Sequence, residues 1–318
     1  MASSVILKTT QMFLILLCGV LVYKAGLLDS RSVRKLSDLL LLFVMPLLIF
    51  QSYQVDFDRE LLYGLFRTLI ASGLTYLLVM ALSELIFRRK RPDTPIEKTA
   101  VVYSNCAFFG IPLINGLLGA EGVFYITAFS TMFNLFLWTH GVIVMAPASS
   151  EQSSGKSRAA SMAALLRNLL TPAIFAVLAG FLCFVLQLRL PSILSEPISM
   201  IAAMNTPLAM IIAGANLAQG NFLKSLKNRR LYLISFLKLI VFPAACLILL
   251  YALPLPFPVA FTVFIAVSCP TAATTIMFAD RYGHNAPYAS ELFVMTTLLS
   301  GITIPLLSVA AEFLLQLP

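Results

Sequence analysis

The chain reads as an all-α polytopic membrane protein: ten transmembrane helices in two inverted five-helix repeats, with helices 4 and 9 broken and crossing. Three observations predict this. Of 318 residues, 59% are hydrophobic and only 11% are charged, against about a quarter charged in a soluble domain. Ten apolar stretches reach the roughly 17–25 residues that a bilayer crossing needs. Two of them, the fourth of each half, are interrupted at their middles by small, polar and proline residues.

In order, the expected spans are approximately 5–28, 36–53, 61–87, 99–119, 123–146, 163–187, 198–219, 231–253, 257–279 and 288–316. Span 1 follows Lys8 and lacks a small-x-small cleavage pattern before Asp29, so it is read as a helix rather than a removed signal. Span 2 carries Pro46 and span 3 carries Arg67. Span 4 holds the first break, Ser104-Asn105-Cys106-Ala107-Phe108-Phe109-Gly110-Ile111-Pro112, and ends at Gly119. Span 5 places Ser130, Thr131 and Asn134 at mid-depth and His140 nearer its end. A polar linker, Ala148–Ala160, separates it from span 6. Span 7 carries Pro207, answering Pro46, and span 8 carries Lys238, answering Arg67. Span 9 holds the second break, Ser268-Cys269-Pro270-Thr271-Ala272-Ala273-Thr274-Thr275, and ends at Gly283. Span 10 brings Glu291, Thr296, Thr297 and Ser300. The expected organisation is a first repeat over 1–147, a cytoplasmic linker over 148–161 and a second repeat over 162–318. An odd number of spans per half inserts the second half upside down. Aligning Gly119 with Gly283 superimposes the two breaks.

The net charge of +8 is unevenly placed. Loops after the odd-numbered spans hold Arg31, Arg34, Lys35, Arg88, Arg89, Lys90, Arg91, Lys98, Lys156, Arg158, Arg167, Lys224, Lys227, Arg229, Arg230 and Arg281. The opposite side holds Lys8, Arg59 and Arg189. The positive-inside rule puts the first set in the cytoplasm and both termini outside. The basic balance is therefore a topology signal and implies no nucleic-acid partner.

In hydrocarbon every backbone N–H and C=O needs a partner. Pro112 and Pro270 remove an N–H and disturb the preceding turn, and Gly110 adds freedom. Freed backbone groups are tolerated where they line a cavity, and paired breaks of this kind point to a transporter's binding site. Half-helix N-termini at a crossing suit an anion. Ser104, Asn105, Thr271, Thr274, Ser130 and Asn134 supply neutral hydrogen-bonding groups there. For either break alone, a proline kink repaired by Ser and Thr side chains is the plainer reading; the matched pair favours a site. Arg67, Lys238, His140 and Glu291 are the intramembrane ionisable candidates for coupling or charge compensation. Arg67 and Lys238 read equally as functional charges or as side chains reaching for an interface. Glu84 is expected to pair with Arg88 on one helix face, and Asp280–Arg281 to form a solvated helix end.

Enzyme signatures such as His-Glu-x-x-His, Gly-x-Ser-x-Gly or a phosphate-cradling loop do not occur. The five cysteines fall inside spans without metal-ligand spacing, and the two histidines are too few for most metal sites. Neither catalysis nor a cofactor is expected.

The chain resembles the auxin efflux carrier family, which includes plant auxin carriers and bacterial organic-acid permeases. The resemblance spans essentially the full length. It rests on Val44-Met45-Pro46-Leu47-Leu48-Ile49-Phe50, on Asn105 through Leu113, on Thr206-Pro207-Leu208-Ala209 with Gly214-Ala215-Asn216-Leu217, and on Cys269-Pro270-Thr271-Ala272 with Ala279-Asp280-Arg281-Tyr282-Gly283. The short linker is similar to that of bacterial members. The resemblance implies a fold related to bile-acid symporters and sodium/proton antiporters. It implies a scaffold of spans 1, 2, 6 and 7, often dimeric, and a transport domain of spans 3–5 and 8–10 that moves as an elevator. It implies substrate at the crossing, with Asn105 as a contact and Pro112 and Pro270 holding the crossing open. At Cys269-Pro270-Thr271 the chain departs from the plant pattern, so small dicarboxylates stand beside auxin-like acids as expected substrates.

The expected function is secondary transport of small organic anions across a plasma membrane (the inner membrane in bacteria), by a homodimer built on the scaffold helices. A sodium-coupled bile-acid-type symporter is the first alternative, although no acidic residue lies near Asn105 or Pro270 in sequence. A membrane sensor that binds ligand without moving it is the second.

Overall fold

The structure is a computed structural model and describes residues 2–89, 91–146, 172–219 and 228–315. The expected linker 148–161, the start of the sixth span, and Lys90, Lys156, Arg158, Arg167, Lys224 and Lys227 lie outside the described residues. What is described is helical apart from short connections and one isolated two-residue bridge.

Helix α1 (Ala2–Lys24) leads into α2 (Ser30–Leu39), capped by Asp29, whose carboxylate accepts from the Ser32 amide at 2.7 Å. A π-helical turn (Leu40–Val44) continues α2 into α3 (Met45–Ser52). Helix α4 (Arg59–Ile86) follows, then α5 (Thr94–Val102). After a break the chain resumes with a π turn (Cys106–Gly110) and α6 (Ile111–Phe136), which splits at Gly119. A further π turn (Leu137–Gly141) and α7 (Val142–Met145) end the half. The second half contains α8 (Pro172–Val185), α9 (Ser192–Ala203) and α10 (Asn205–Gln219). Next come α11 (Arg229–Phe236), a π turn (Leu237–Val241) and α12 (Phe242–Tyr251). The chain ends with α13 (Phe257–Ser268), α14 (Thr274–Arg281) and α15 (Ala286–Leu315).

Among the described residues, three of the four π turns stand immediately before Met45-Pro46, Ile111-Pro112 and Phe242-Pro243. A helical proline has no N–H to give and its ring collides with the carbonyl four residues back. Widening the preceding turn by one residue takes up both defects without ending the helix. The amides of Met45, Ile111 and Phe242 accordingly bond five residues back, to the carbonyls of Leu40, Cys106 and Leu237.

Among the described residues, six helical stretches are long and apolar enough to cross a membrane: Ser4–Lys24, Arg59–Ile86, Cys106–Met145, Ser192–Gln219, Arg229–Tyr251 and Ala286–Leu315. Helices α8 and α13 are shorter but equally apolar. On the long stretches Leu21, Ile70, Ile248, Ile302 and Phe313 stand outward. Apolar surface of that extent calls for lipid. Inside, α1 lies along α10, where a Cβ on Gly214 would overlap the Leu16 carbonyl and one on Gly19 would overlap the Ile211 backbone. Small residues permit this backbone-to-backbone approach, a usual device where lipid removes the hydrophobic drive. Helices α5, α6, α12, α13 and α15 pack around the two breaks, with α13 almost wholly buried.

Several boundaries move. The fourth span starts at Thr94 rather than 99, because Pro95 suits a first helical turn. The seventh starts at Ser192 rather than 198, directly after Pro191. Glu84 pairs with Lys98 at 2.6 Å and not with Arg88. Helix α4 ends at Ile86, so Arg88 has left the helix and the expected four-residue spacing no longer places it on the same face.

The four described residues with positive φ fall in pairs: Gly26 with Gln187, 161 positions later, and Gly119 with Gly283, 164 positions later. The second pair consists of the two glycines that align the breaks in sequence.

Candidate functional site

The two breaks meet. Ser104 and Thr271 form an antiparallel bridge. The Asn105 amide donates to the Pro270 carbonyl at 2.7 Å, and the Ala272 amide donates to the Tyr103 carbonyl at 3.0 Å. Side chains complete the exchange between half-helix ends. The Ser104 hydroxyl donates to the Val267 carbonyl at 2.9 Å, near the end of α13, and the Thr271 hydroxyl donates to the Ala100 carbonyl at 3.1 Å, near the end of α5. Each break thus satisfies backbone groups that the other leaves open, which is the condition for irregular backbone at membrane depth.

Two helices begin at this crossing. The π turn and α6 start at Cys106, with Asn105 as their cap: its Oδ1 accepts from the Phe108 amide at 3.4 Å. Helix α14 starts at Thr274. Both starts border one cavity of about 260 Å³. One wall is Ser104–Phe108 with Ala272–Thr274, a second is Ser130, Phe133, Asn134, Leu137 and Trp138, and the third is Leu41, Met45, Ile49 and Ala173. The walls are mostly apolar, and no charged side chain is among them. The Thr274 hydroxyl is buried with no partner among the described residues. Asn134 turns its amide back to the Ser130 carbonyl at 2.9 Å.

Of the residues singled out in sequence, Ser104, Asn105, Ser130, Asn134 and Thr274 line this cavity. Gly110, Pro112, Pro270 and Thr271 are buried behind that surface. The first break lies at 103–105, upstream of Gly110 and Pro112. Pro112 is absorbed by the π turn and does not open the chain. Pro270, by contrast, lies within its break.

The four ionisable candidates separate. Lys238, 1% exposed, reaches the crossing: its Nζ donates to Ser104 Oγ at 2.6 Å and to the Val101 carbonyl at 3.3 Å. Arg67 does not reach it. The buried stripe of α4 runs through Gly64, Thr68, Ala71, Ser72 and Thr75, and Arg67 falls off that stripe. It is exposed, in a separate recess with Leu250–Pro256, Leu314 and Leu315. His140 is one shell out: its Nδ1 lies 3.1 Å from the Tyr103 hydroxyl, which itself donates to the Phe136 carbonyl at 2.7 Å. Glu291 belongs to another place, a polar recess with Arg91, Asp93, Asn228, Arg230, Asn285 and Tyr288.

That recess contains a group the sequence reading passed over. Glu97, 2% exposed, accepts two hydrogen bonds from the Arg230 guanidinium at 2.7 and 2.6 Å and one from the Tyr288 hydroxyl at 3.0 Å. It ties the first turns of α5, α11 and α15 together. The available signal was an acidic residue at the edge of an apolar stretch, on which charge counting alone is silent. Elsewhere the Tyr53 hydroxyl meets Thr127 Oγ1 at 2.7 Å, and its ring packs on Phe124. Thr296 accepts from the Thr271 amide at 3.2 Å and so braces the second break from α15.

Among known proteins, the sequence model of one family, described as membrane transport protein, matches residues 4–308. No curated protein matches the chain.

Proposed function

The chain belongs to the membrane transport protein family, that of the auxin efflux carriers, and we propose that within it this protein is a secondary carrier of small organic anions, carboxylates or auxin-like acids. One observation carries the reading: the starts of two half-helices, at Cys106 and Thr274, border the same cavity at the crossing. The first N–H groups of a helix have no partner within it, and they carry the positive end of the dipole. Two such ends attract an anion without any cationic side chain in the wall. Asn105, Ser130, Asn134 and Thr274 supply neutral hydrogen bonds for its head, and Phe108, Phe133 and Trp138 supply apolar surface for its body.

The paired positive-φ residues support ten spans in two inverted repeats. The cavity's third wall, from α3, its π turn and α8, belongs to the proposed scaffold, and the other walls to the proposed transport domain. A site shared between those two bodies fits an elevator motion, with dimerisation through the scaffold helices. The charge asymmetry supports a plasma-membrane protein with both termini outside.

The test is charge movement on a solid-supported membrane carrying purified protein. Malate, malonate, citrate, an indole acid and taurocholate are applied with and without sodium, to wild type and to Asn105→Ala. A sodium-independent current for one anion, lost in the mutant while the protein stays folded, is expected. Wild-type current in Asn105→Ala removes the site; sodium-dependent current restores the symporter reading.

A further inference from the structure

Three helix faces lead from the crossing cavity to one buried tyrosine. On α6, Ser130 and Asn134 line the cavity, and Val123 lines a second, polar recess of about 490 Å³ between α3, α6 and α9. Thr127 stands four residues from Val123 and three from Ser130, so it lies on the same face between them. On α3, Met45 and Ile49 line the cavity and Ser52 lines the recess. Tyr53 directly follows α3 and continues the Met45–Ile49 face one turn further. On α8, Ala173 lines the cavity, and the buried Ala176, Gly180 and Phe184 follow it at steps of three and four. Leu190, just past the end of this 14-residue helix, lines the recess. The two spaces are therefore about 20 Å apart along α8.

The three faces converge on Tyr53, which is 1% exposed and lines neither space. Its ring lies so close to α8 that a Cβ on Gly180 would stand 2.9 Å from it. The ring packs on Phe124 at 4.6 Å between centroids, and Phe124 packs on Phe184 at 5.3 Å. Thr127 gives its one hydroxyl proton to the Phe124 carbonyl at 2.7 Å, so Tyr53 is the donor in the 2.7 Å bond between the two hydroxyls. Beyond this plug the recess repeats the chemistry of the cavity. Gln51, Gln54, Asn115 and Ser199 bring neutral amides and a hydroxyl, and no charged side chain stands in the wall. Gln54 Nε2 is buried without a partner among the described residues.

The Tyr53–Thr127 pair also joins the two bodies of the proposed carrier. Tyr53 goes with α3 and α8 on the scaffold side, and Thr127 with α6 on the transport side. Contacts such as Phe13 on Phe109, 5.8 Å between centroids, also cross that boundary, but they are apolar and without direction, so they tolerate sliding. A buried hydrogen bond does not slide, because its groups must find water or another partner once separated. We infer that the recess is the second mouth of the crossing cavity and that Tyr53 is the gate between them, held shut by its bond to Thr127. Opening breaks that bond, and the two freed hydroxyls meet water entering from the recess. What passes through the gate rests on the carrier reading above; the closure itself does not.

The test is side-specific labelling by a membrane-impermeant maleimide. The full chain, with its five cysteines replaced by alanine, carries one reporter: Ala273→Cys in the cavity wall or Ser195→Cys in the recess wall. Ser195→Cys identifies the membrane face of the recess. From that face, Ala273→Cys is expected to label slowly while Tyr53 and Thr127 are intact. With Tyr53→Phe or Thr127→Val it labels roughly fivefold faster, the share of one buried hydrogen bond, and the double variant is no faster than either. Thr127→Ser keeps the acceptor and the slow rate. An unchanged rate in either single variant, effects that multiply in the double variant, or a fast Thr127→Ser overturns the gate. If the cysteine-free chain does not fold, Trp138 decides, since it is the only tryptophan in the sequence and stands in the cavity wall. In proteoliposomes of mixed orientation, external iodide reaches it in wild type only where the cavity mouth faces outward. Tyr53→Phe and Thr127→Val raise the quenchable fraction, and an unchanged fraction overturns the gate. Anion current on the same proteoliposomes separates the two readings. No wild-type current with gate-dependent access removes the carrier and leaves the gate; wild-type current with unchanged access removes the gate and leaves the carrier.

Discussion

The two breaks are alike in what they exchange and different in what holds them. Each gives one backbone amide to the other break and one hydroxyl to the half-helix that precedes it. The second break is fixed from outside as well: Pro270 stiffens it and Thr296 of α15 accepts from the Thr271 amide. The first is also braced from outside, at Ser104, which accepts from Lys238 Nζ at 2.6 Å, but the Asn105 side chain has no such brace among the described residues. That side chain only caps its own helix, with a long 3.4 Å bond, and borders the cavity. The difference teaches that the pair divides its work. The second break is a fixed strut, and the first presents the group that a ligand can engage.

The largest test of that division is on uptake. Asn105→Ala is expected to lower anion uptake at least tenfold at an unchanged unfolding midpoint, since the lost cap interaction is weak and cavity-facing. Thr271→Val should do the reverse. It strands the buried Ala100 carbonyl, which costs about 1–3 kcal/mol, and lowers uptake only in proportion to the folded protein that remains. If Thr271→Val abolished uptake at full stability, the strut would be a binding residue and the comparison would fail. A smaller effect follows at the brace. Thr296→Val removes the acceptor of the Thr271 amide and should cost about 1 kcal/mol in denaturant or thermal unfolding, with substrate affinity unmoved. The smallest effect is at Gly110. A Cβ there meets Cys106, Cys269 and Ile126 at 3.4 Å, ordinary contact distance, and the residue has a helical φ of −65°. Gly110→Ala should therefore stay within about 1 kcal/mol of wild type. A severe loss would mean that Gly110 is a hinge after all, and that the first break extends further than 103–105.

Legibility in the sequence tracked how local each cause was. Gly119 and Gly283 correspond in the sequence because each adopts a positive φ that glycine reaches without strain. The prolines were visible too, but their effect was not. Pro46, Pro112 and Pro243 each follow a π turn that lets the helix continue, so Pro112 marks an adjustment and not the break. Arg67 and Lys238 looked equivalent because both are single cations some way into a span. Which face of its helix each occupies separated them: one is exposed in a peripheral recess, the other buried against Ser104. Glu97 with Arg230 and Tyr288 was missed because the three come from distant parts of the chain and no spacing rule connects them.

By itself, the sequence determined that the chain is a membrane protein and located two interruptions within its apolar stretches. Those properties follow from apolar length, charge asymmetry and backbone chemistry, all of which act within a few residues. Only the tertiary structure decided that the interruptions meet, that Thr296 serves as a brace and that Lys238 lies against Ser104. An unsatisfied amide or carbonyl in hydrocarbon must find a partner somewhere, but its own neighbourhood does not say where. The partner here lies more than 160 positions away, as between Ser104 and Val267, and comes within reach only once the helices have packed.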